Sequence, residues 1–298
     1  MIKGDSIKTI HHLQKLVKNP ASFELYVYEE FSDINARQSA RMKQREYQWD
    51  IALDNDHLNR YCNILPFDKN RVRLNNQDYI NASFVVPPLA IEPTYIAAQG
   101  PLRHTVVDFW RMVVEQQVSV IVCLTPEIEK NMEKCARYWP EGDKEWRVIN
   151  KDWMIELKNT EEVLNDQADC IVRKISVAVC QGNTLVQRAS VVQVQFKGWP
   201  DHGVPKSPDK VLEMIRLTRT FYKDKRPVVV HCSAGCGRTG TFCVIDSAER
   251  LIRQQLGPVD PILFLTEEFR KQRTTMVQTA SQFHFCYSAL LQFLNDKS

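Results

Sequence analysis

Arg226-Pro227-Val228-Val229-Val230-His231-Cys232-Ser233-Ala234-Gly235-Cys236-Gly237-Arg238-Thr239-Gly240 is the stretch from which the rest of the chain is read. Val228, Val229 and Val230 are β-branched and apolar, and predict a short buried strand. Small residues and glycines follow. From Thr241 a helical pattern begins, with Phe242, Ile245, Ala248, Ile252 and Leu256 on one face and a stop at Gly257. The local design is strand, tight loop, helix N-terminus. Such a loop suits an anion. Gly235, Gly237 and Gly240 are expected to take backbone angles that a Cβ forbids, so that successive N–H groups converge on one point. The helix adds unpaired donors and the positive end of its dipole. Arg238 supplies a planar fork for two oxygens of a phosphate. Cys232, at the mouth of the loop, is placed to lose its proton well below the range of an ordinary thiol. A thiolate beneath a bound phosphate is a nucleophile aimed at phosphorus.

Plainer readings have to be weighed. A cysteine in an apolar run is most often packing, but the glycines and the arginine six positions on argue otherwise. Gly235-x-Gly237-x-x-Gly240 matches a dinucleotide fingerprint, with Asp260 where an acid is wanted. However, Pro258 and Pro261 bracket that acid, and too little chain follows for such a sheet. No Lys-Ser or Lys-Thr follows the glycines, which excludes a Walker loop.

The run from His231 to Gly240 closely resembles the signature of the cysteine-dependent protein tyrosine phosphatases. Other blocks resemble the same family: Asn59-Arg60-Tyr61, Asp78-Tyr79-Ile80-Asn81-Ala82-Ser83, Gln99-Gly100-Pro101, the Glu-containing loop from Glu129 to Pro140, Trp199-Pro200-Asp201-His202-Gly203, and Gln278-Thr279-Ala280-Ser281-Gln282. Together they cover about residues 45–295. The resemblance implies one α/β domain, a twisted, mostly antiparallel mixed sheet flanked by helices. The single domain is expected to span residues 1–298, with residues 1–45 as a helical extension packed on it.

The resemblance also implies roles. Cys232 is the nucleophile. Arg238 and the backbone of Ser233, Ala234, Gly235, Cys236 and Gly237 bind phosphate. Thr239 bonds the sulfur, and His231 supports the loop. Asp201, in a loop hinged at Trp199 and Gly203, protonates the leaving phenolate. An ordinary aspartate is ionised at neutral pH, so a closed, partly dry pocket has to raise it. Gln278 places the water that hydrolyses the cysteinyl phosphate, and Gln282 supports it. Tyr61 walls a slot deep enough for phosphotyrosine and too deep for phosphoserine or phosphothreonine. Glu129 pairs with Arg238, and Lys134 approaches the acid loop. After Tyr61 many members carry a basic residue and an aspartate. Here Cys62 and Asn63 stand instead, so Asn63 grips the substrate backbone without a charge.

The remaining sequence gives no competing signal. A net charge of +3 on 298 residues implies neither nucleic acid nor membrane as partner. Nine scattered cysteines, an odd number, read as reduced thiols of the cytoplasm, with access to the nucleus, rather than as a disulfide framework. The N-terminus is too polar for a signal peptide. His11 and His12 lack companion ligands, so neither metal nor cofactor is implied. Thr105 through Gln117 predicts a helix capped by Thr105, and Ser207-Pro208-Asp209 the start of another reaching Tyr222. Trp146 to Gln195 alternates and predicts antiparallel strands, with a hairpin at Gln181-Gly182-Asn183.

The expected function is hydrolysis of phosphotyrosine in proteins through a cysteinyl phosphate, in intracellular signalling. The partners are tyrosine-phosphorylated proteins, kinases among them, and the enzyme is a monomer. Two alternatives stand beside it: a phosphotyrosine-binding module with weak chemistry, and a dual-specificity or lipid phosphatase.

Overall fold

The computed structural model describes residues 6–75, 78–142, 144–200, 203–223 and 225–296. The helices are α1 (Ser6–Val17), α2 (Pro20–Arg41), α3 (Asp50–Asp54), α4 (Val106–Glu115), α5 (Asp209–Phe221), α6 (Gly237–Arg253), α7 (Pro261–Arg270) and α8 (Ala280–Asn295). The strands are β1 (Arg71–Arg73), β2 (Tyr79–Val85), β3 (Tyr95–Ala98), β4 (Val120–Cys123), β5 (Ile128–Glu129), β6 (Met132–Glu133), β7 (Glu145–Asn150), β8 (Trp153–Asn165), β9 (Cys170–Gln181), β10 (Thr184–Phe196) and β11 (Val228–His231).

Among the described residues, nine strands form one sheet in the order β1-β2-β3-β11-β4-β10-β9-β8-β7, and β5 and β6 make a separate hairpin. The three central pairings, β3–β11, β11–β4 and β4–β10, are parallel. The outer pairings are antiparallel. This is the mixed, mostly antiparallel α/β sheet that the sequence resemblance implied.

The central strands are short and apolar because both of their faces are covered. Val228 and Val230 pack with Val120 and Val122 into a core shared with α5 and α6. Val229 and Ile121 point to the other side, into a core built on Phe109, Trp110 and Val113 of α4. The alternation of side chains along a strand thus feeds two cores from one valine run. The strands β8 to β10 are long, and the distal ends of β8 and β10 carry exposed side chains such as Val163, Leu164, Leu185 and Val186.

Two sequence readings need correction. The helix expected from Thr241 begins at Gly237 and ends at Arg253, short of Gly257. Arg238, Thr239 and Gly240 therefore lie in its first turn, which the sequence pattern missed because no apolar residue marks that turn. The helix expected from Thr105 begins at Val106, and Thr105 gives it no side-chain cap. Its hydroxyl instead accepts from Leu102 N at 2.9 Å.

The N-terminal helices pack against the C-terminal ones. Phe23 meets the Tyr287 ring edge-on at 5.6 Å, and Phe31 lies 5.9 Å from Phe283. Arg37 and Arg41 of α2 both pair with Glu267 of α7, at 2.6 and 3.0 Å. Asp260 caps α7 through Leu263 N and accepts hydrogen bonds from Tyr26 and Tyr287.

Candidate active site

β11 ends at the middle of the sheet, bonded to β3 on one edge and β4 on the other. The chain then turns through residues 232–236 into α6. A loop at the carboxyl end of a central parallel strand, running into a helix N-terminus, is where α/β sheets hold anions.

The glycines of the loop do different jobs from one another. Only Gly235 has a positive φ, at +72°, and a Cβ there would lie 2.1 Å from the carbonyl oxygen of Ala98. Gly240 is helical, and its missing side chain is a clearance: a Cβ would stand 2.2 Å from Val277 N. The expectation that all three glycines serve unusual backbone angles is thus corrected for Gly237 and Gly240, which lie inside α6 without a left-handed φ. Gly237 leaves room for the side chains of Gln278 and Gln282, whose atoms lie about 3.0 Å from where its Cβ would be.

Cys232 is 5 % exposed and sits at the focus of the loop. Its sulfur accepts from Gly235 N at 3.3 Å and from the Thr239 hydroxyl at 3.4 Å. Burial alone pushes the thiol up. The Thr239 hydroxyl, the Arg238 charge and the N–H groups of Thr239 and Gly235 more than offset this and hold it below the ordinary thiol value. Cys236, four residues on and fully buried, lacks enough such support, and burial drives it up to about 12. The contrast separates a lowered thiol from a raised one within a single loop.

Arg238 is held from behind. Its Nη1 lies 2.5 Å from Glu129 Oε1 and also donates to Leu124 O at 3.2 Å. Nη2 reaches Pro200 O at 3.4 Å, which ties the guanidinium to the loop leading toward residue 201. Asp201 and His202 themselves lie outside the described residues. Trp199 is buried against Phe196 and Phe285, and its indole N–H donates to Gly203 O at 3.3 Å.

His231 is wholly buried. Tyr138 OH lies 2.7 Å from its Nε2, and its Nδ1 lies 3.2 Å from the Cys232 carbonyl oxygen. A carbonyl can only accept, so Nδ1 carries the proton and Nε2 accepts from the phenol. Burial lowers this histidine to about 4, leaving it neutral. It orients the loop without lending it charge.

Tyr61, Asn63, Glu129, Lys134, Ser233, Ala234, Gly237, Gln278 and Gln282 join Cys232 and Arg238 around one cavity of about 470 Å³. Tyr61 is fixed in the wall by its hydroxyl, 2.8 Å from Ser233 Oγ. Gln282 Oε1 accepts from Gln278 N at 2.8 Å, so the two glutamines are locked together at the rim. Cys62 is exposed beside Tyr61.

Two arginines escaped the sequence reading. Arg273, fully buried, donates to Gly235 O at 2.7 Å, Ala234 O at 3.0 Å and Asn81 Oδ1 at 2.7 Å. By holding the loop carbonyls from outside, it leaves the loop N–H groups facing inward. Arg60 donates to the carbonyls of Gly100, Pro101 and Glu133, and stitches the Tyr61 segment to the Glu129 hairpin. The available signal was a charge embedded in a segment otherwise bound for the core, since buried charges require partners.

An amide-cradled sulfur below the ordinary thiol range, an arginine anchored by a carboxylate and a tyrosine in the cavity wall, on this sheet, match the architecture of the cysteine-dependent phosphatases. The chain belongs to the protein-tyrosine phosphatase family, whose family model matches residues 55–292. Among its relatives are human tyrosine-protein phosphatase non-receptor type 18, 38 % identical over 281 residues (88 % of this chain, 57 % of that protein), and human non-receptor type 20, 40 % identical over 245 residues (80 % and 55 %). The chain thus spans a little over half the length of these curated relatives. The crystal structure of the human type 18 catalytic domain superposes with a TM-score of 0.79 at 36 % identity, covering 90 % of this chain and 96 % of that one. A structure concerned with the PTPN18 fingerprint on distinct HER2 tyrosine phosphorylation sites gives 0.82 at 34 % identity, covering 97 % and 99 %.

Proposed function

We propose that this chain hydrolyses phosphotyrosine in proteins through a cysteinyl-phosphate intermediate. The observation that carries the reading is the Cys232 sulfur, lowered below the ordinary thiol range at the focus of Gly235 N–H, Thr239 OH and the Glu129-anchored Arg238.

In the first step Cys232 attacks phosphorus. The phosphate oxygens rest on Arg238 and on the loop amides of Ser233 through Gly237. Tyr61 flanks the phenyl ring, and Asn63 bonds the substrate backbone. Asp201 gives its proton to the departing tyrosine oxygen. In the second step Gln278, supported by Gln282, orients a water, and Asp201 takes its proton. The S–P bond breaks and Thr239 receives the returning thiolate. Lys134 and Gly203 both line the cavity, which supports an approach of Lys134 to the acid loop. The residues form one catalytic unit over 1–298, with the helices of residues 1–45 packed on it.

The substrates are tyrosine-phosphorylated proteins, kinases among them. The PTPN18 relative, described against HER2 phosphotyrosine sites, supports that class. The non-receptor names of the relatives support a cytoplasmic enzyme; its action as a monomer and its access to the nucleus are part of the proposal. Among the described residues no helix is long and apolar enough to cross a membrane.

The test is phosphate release from matched peptides carrying phosphotyrosine, phosphoserine or phosphothreonine. Turnover of the phosphotyrosine peptide alone, abolished in Cys232→Ser while binding persists, is expected. Equal turnover of all three peptides, or full activity without the thiol, refutes the reading. Asp201→Ala should hold phosphotyrosine proteins in a stable complex that identifies the physiological substrate.

A further inference from the structure

The turn that delivers Gln278 to the cavity is strained. Thr275 and Val277, both β-branched, stand at φ +53° and +60°. β-branched side chains in the left-handed region are outliers, and such conformations persist only where the surroundings over-determine them. The supports here can be named. Arg270, itself buried, donates from Nε to Met276 O at 2.9 Å and from Nη2 to Val277 O at 2.7 Å. Val277 N donates to Cys236 O at 3.3 Å.

Two further supports come from outside the catalytic segments, from α2. Gln38 Oε1 accepts from Thr275 N at 2.9 Å. Asn35 Oδ1 accepts from Arg270 Nη1 at 2.7 Å. The helix bearing them is pinned to α7 by the two Glu267 ion pairs. A path of direct contacts therefore runs from an exposed N-terminal helix to the residue that handles water: Asn35 to Arg270 to the carbonyls of Met276 and Val277, and Gln38 to Thr275, three residues before Gln278.

We propose that Gln38 and Asn35 are positioning residues for the hydrolytic half of the reaction, holding the Thr275–Val277 turn in the one conformation that presents Gln278 to the cysteinyl phosphate. The inference rests on the proposed two-step chemistry. In the second step a water oxygen bonds to phosphorus while the S–P bond breaks. The electron pair returns to the Cys232 sulfur, and the water proton passes to the Asp201 carboxylate. Gln278 contributes only orientation, so a small displacement of its backbone slows this step. The first step, carried by Cys232, Arg238, the loop amides and the Asp201 proton, makes no use of Gln278 and is left alone.

The experiment is rapid-quench kinetics on the full chain with an aryl phosphate, measuring formation and decay of phosphocysteine in wild type, Gln38→Ala, Asn35→Ala and Gln38→Glu. Asn35 is exposed and Gln38 half-buried, both on a helix surface where alanine suits the backbone, so the variants keep their fold. The loss of one bond should slow phosphocysteine decay about three- to tenfold in Gln38→Ala and Asn35→Ala. kcat falls with it and kcat/KM stays put, because that ratio reports only the steps through phosphoryl transfer to sulfur. Gln38→Glu keeps an acceptor for Thr275 N and should restore wild-type decay. Unchanged decay in both alanine variants overturns the inference while leaving the phosphatase reading intact. So does a parallel fall of kcat and kcat/KM, the mark of lost folded protein. A wild-type chain that forms no phosphocysteine overturns both.

Discussion

Glu129 Oε1 stands 2.5 Å from Arg238 Nη1, and both side chains are largely screened from solvent. The carboxylate reaches the guanidinium from the β5–β6 hairpin, which among the described residues has no strand pairing to the main sheet. The fork proposed to grip phosphate is therefore aimed by a small separate element. Glu129→Ala should lower kcat/KM on the order of ten- to a hundredfold, the range of a lost hydrogen bond to a charged group. Glu129→Gln, which keeps an acceptor, should lose less. Steady-state kinetics with competitive inhibition by inorganic phosphate check this, and phosphate should weaken in the same order.

The lowered Cys232 thiol predicts a pH profile. Alkylation of Cys232 by iodoacetamide should reach its plateau at a lower pH than that of a free cysteine thiol. Thr239→Ala, which removes the hydroxyl 3.4 Å from the sulfur, should move the midpoint upward, because the bond favours the charged form. Peptide mapping of the alkylated protein isolates the Cys232 signal.

His231 sets a limb of the stability curve. Burial holds it at about 4 in the folded chain against an ordinary 6.5. Between those values the unfolded chain binds a proton that the folded chain refuses. Its contribution is thus fully present above about pH 6.5 and is lost as pH falls toward 4, about 3 kcal/mol in all. Urea denaturation across that range should show the slope, and His231→Asn should flatten it.

Gly240→Ala puts a methyl group where Val277 N already stands, with a clearance of 2.2 Å between backbone and Cβ. Neither partner is a flexible side-chain end, so the turn before Gln278 must shift. A loss of about 2 kcal/mol is expected, seen as a fall of several degrees in Tm, together with slowed phosphocysteine decay.

Tyr61→Phe should cost little beyond the bond to Ser233, since the ring wall survives. Tyr61→Ala opens the slot. It should lower kcat/KM for phosphotyrosine peptides on the order of tenfold or more and narrow the gap to phosphoserine peptides. The matched-peptide assay reads both.

The legible parts of this chain were those in which neighbouring residues specify one another. The valine run, Gly235, Cys232 and Arg238 form a continuous stretch whose backbone and charge logic is local. The Glu129–Arg238 pair was reached only through resemblance, because 109 positions separate its partners. Arg273 and Arg60 act through carbonyl oxygens of distant segments, and a sequence does not display where its carbonyls point. Thr275 and Val277 run against their own residue types. Their side chains favour extended backbone, and tertiary hydrogen bonds hold them left-handed. The early start of α6 at Gly237 was missed for a related reason: its first turn is selected for close approach and anion contact, and carries no apolar stripe.

The docking of Phe23 and Phe31 onto α8 bears on how this protein can be handled. The family match opens at residue 55, after both aromatic residues. A shortened chain beginning there would bare Phe283 and Tyr287 to water and leave an oily seam along α8. Such a fragment should self-associate on concentration, so recombinant work on the catalytic unit is best done with the first two helices retained.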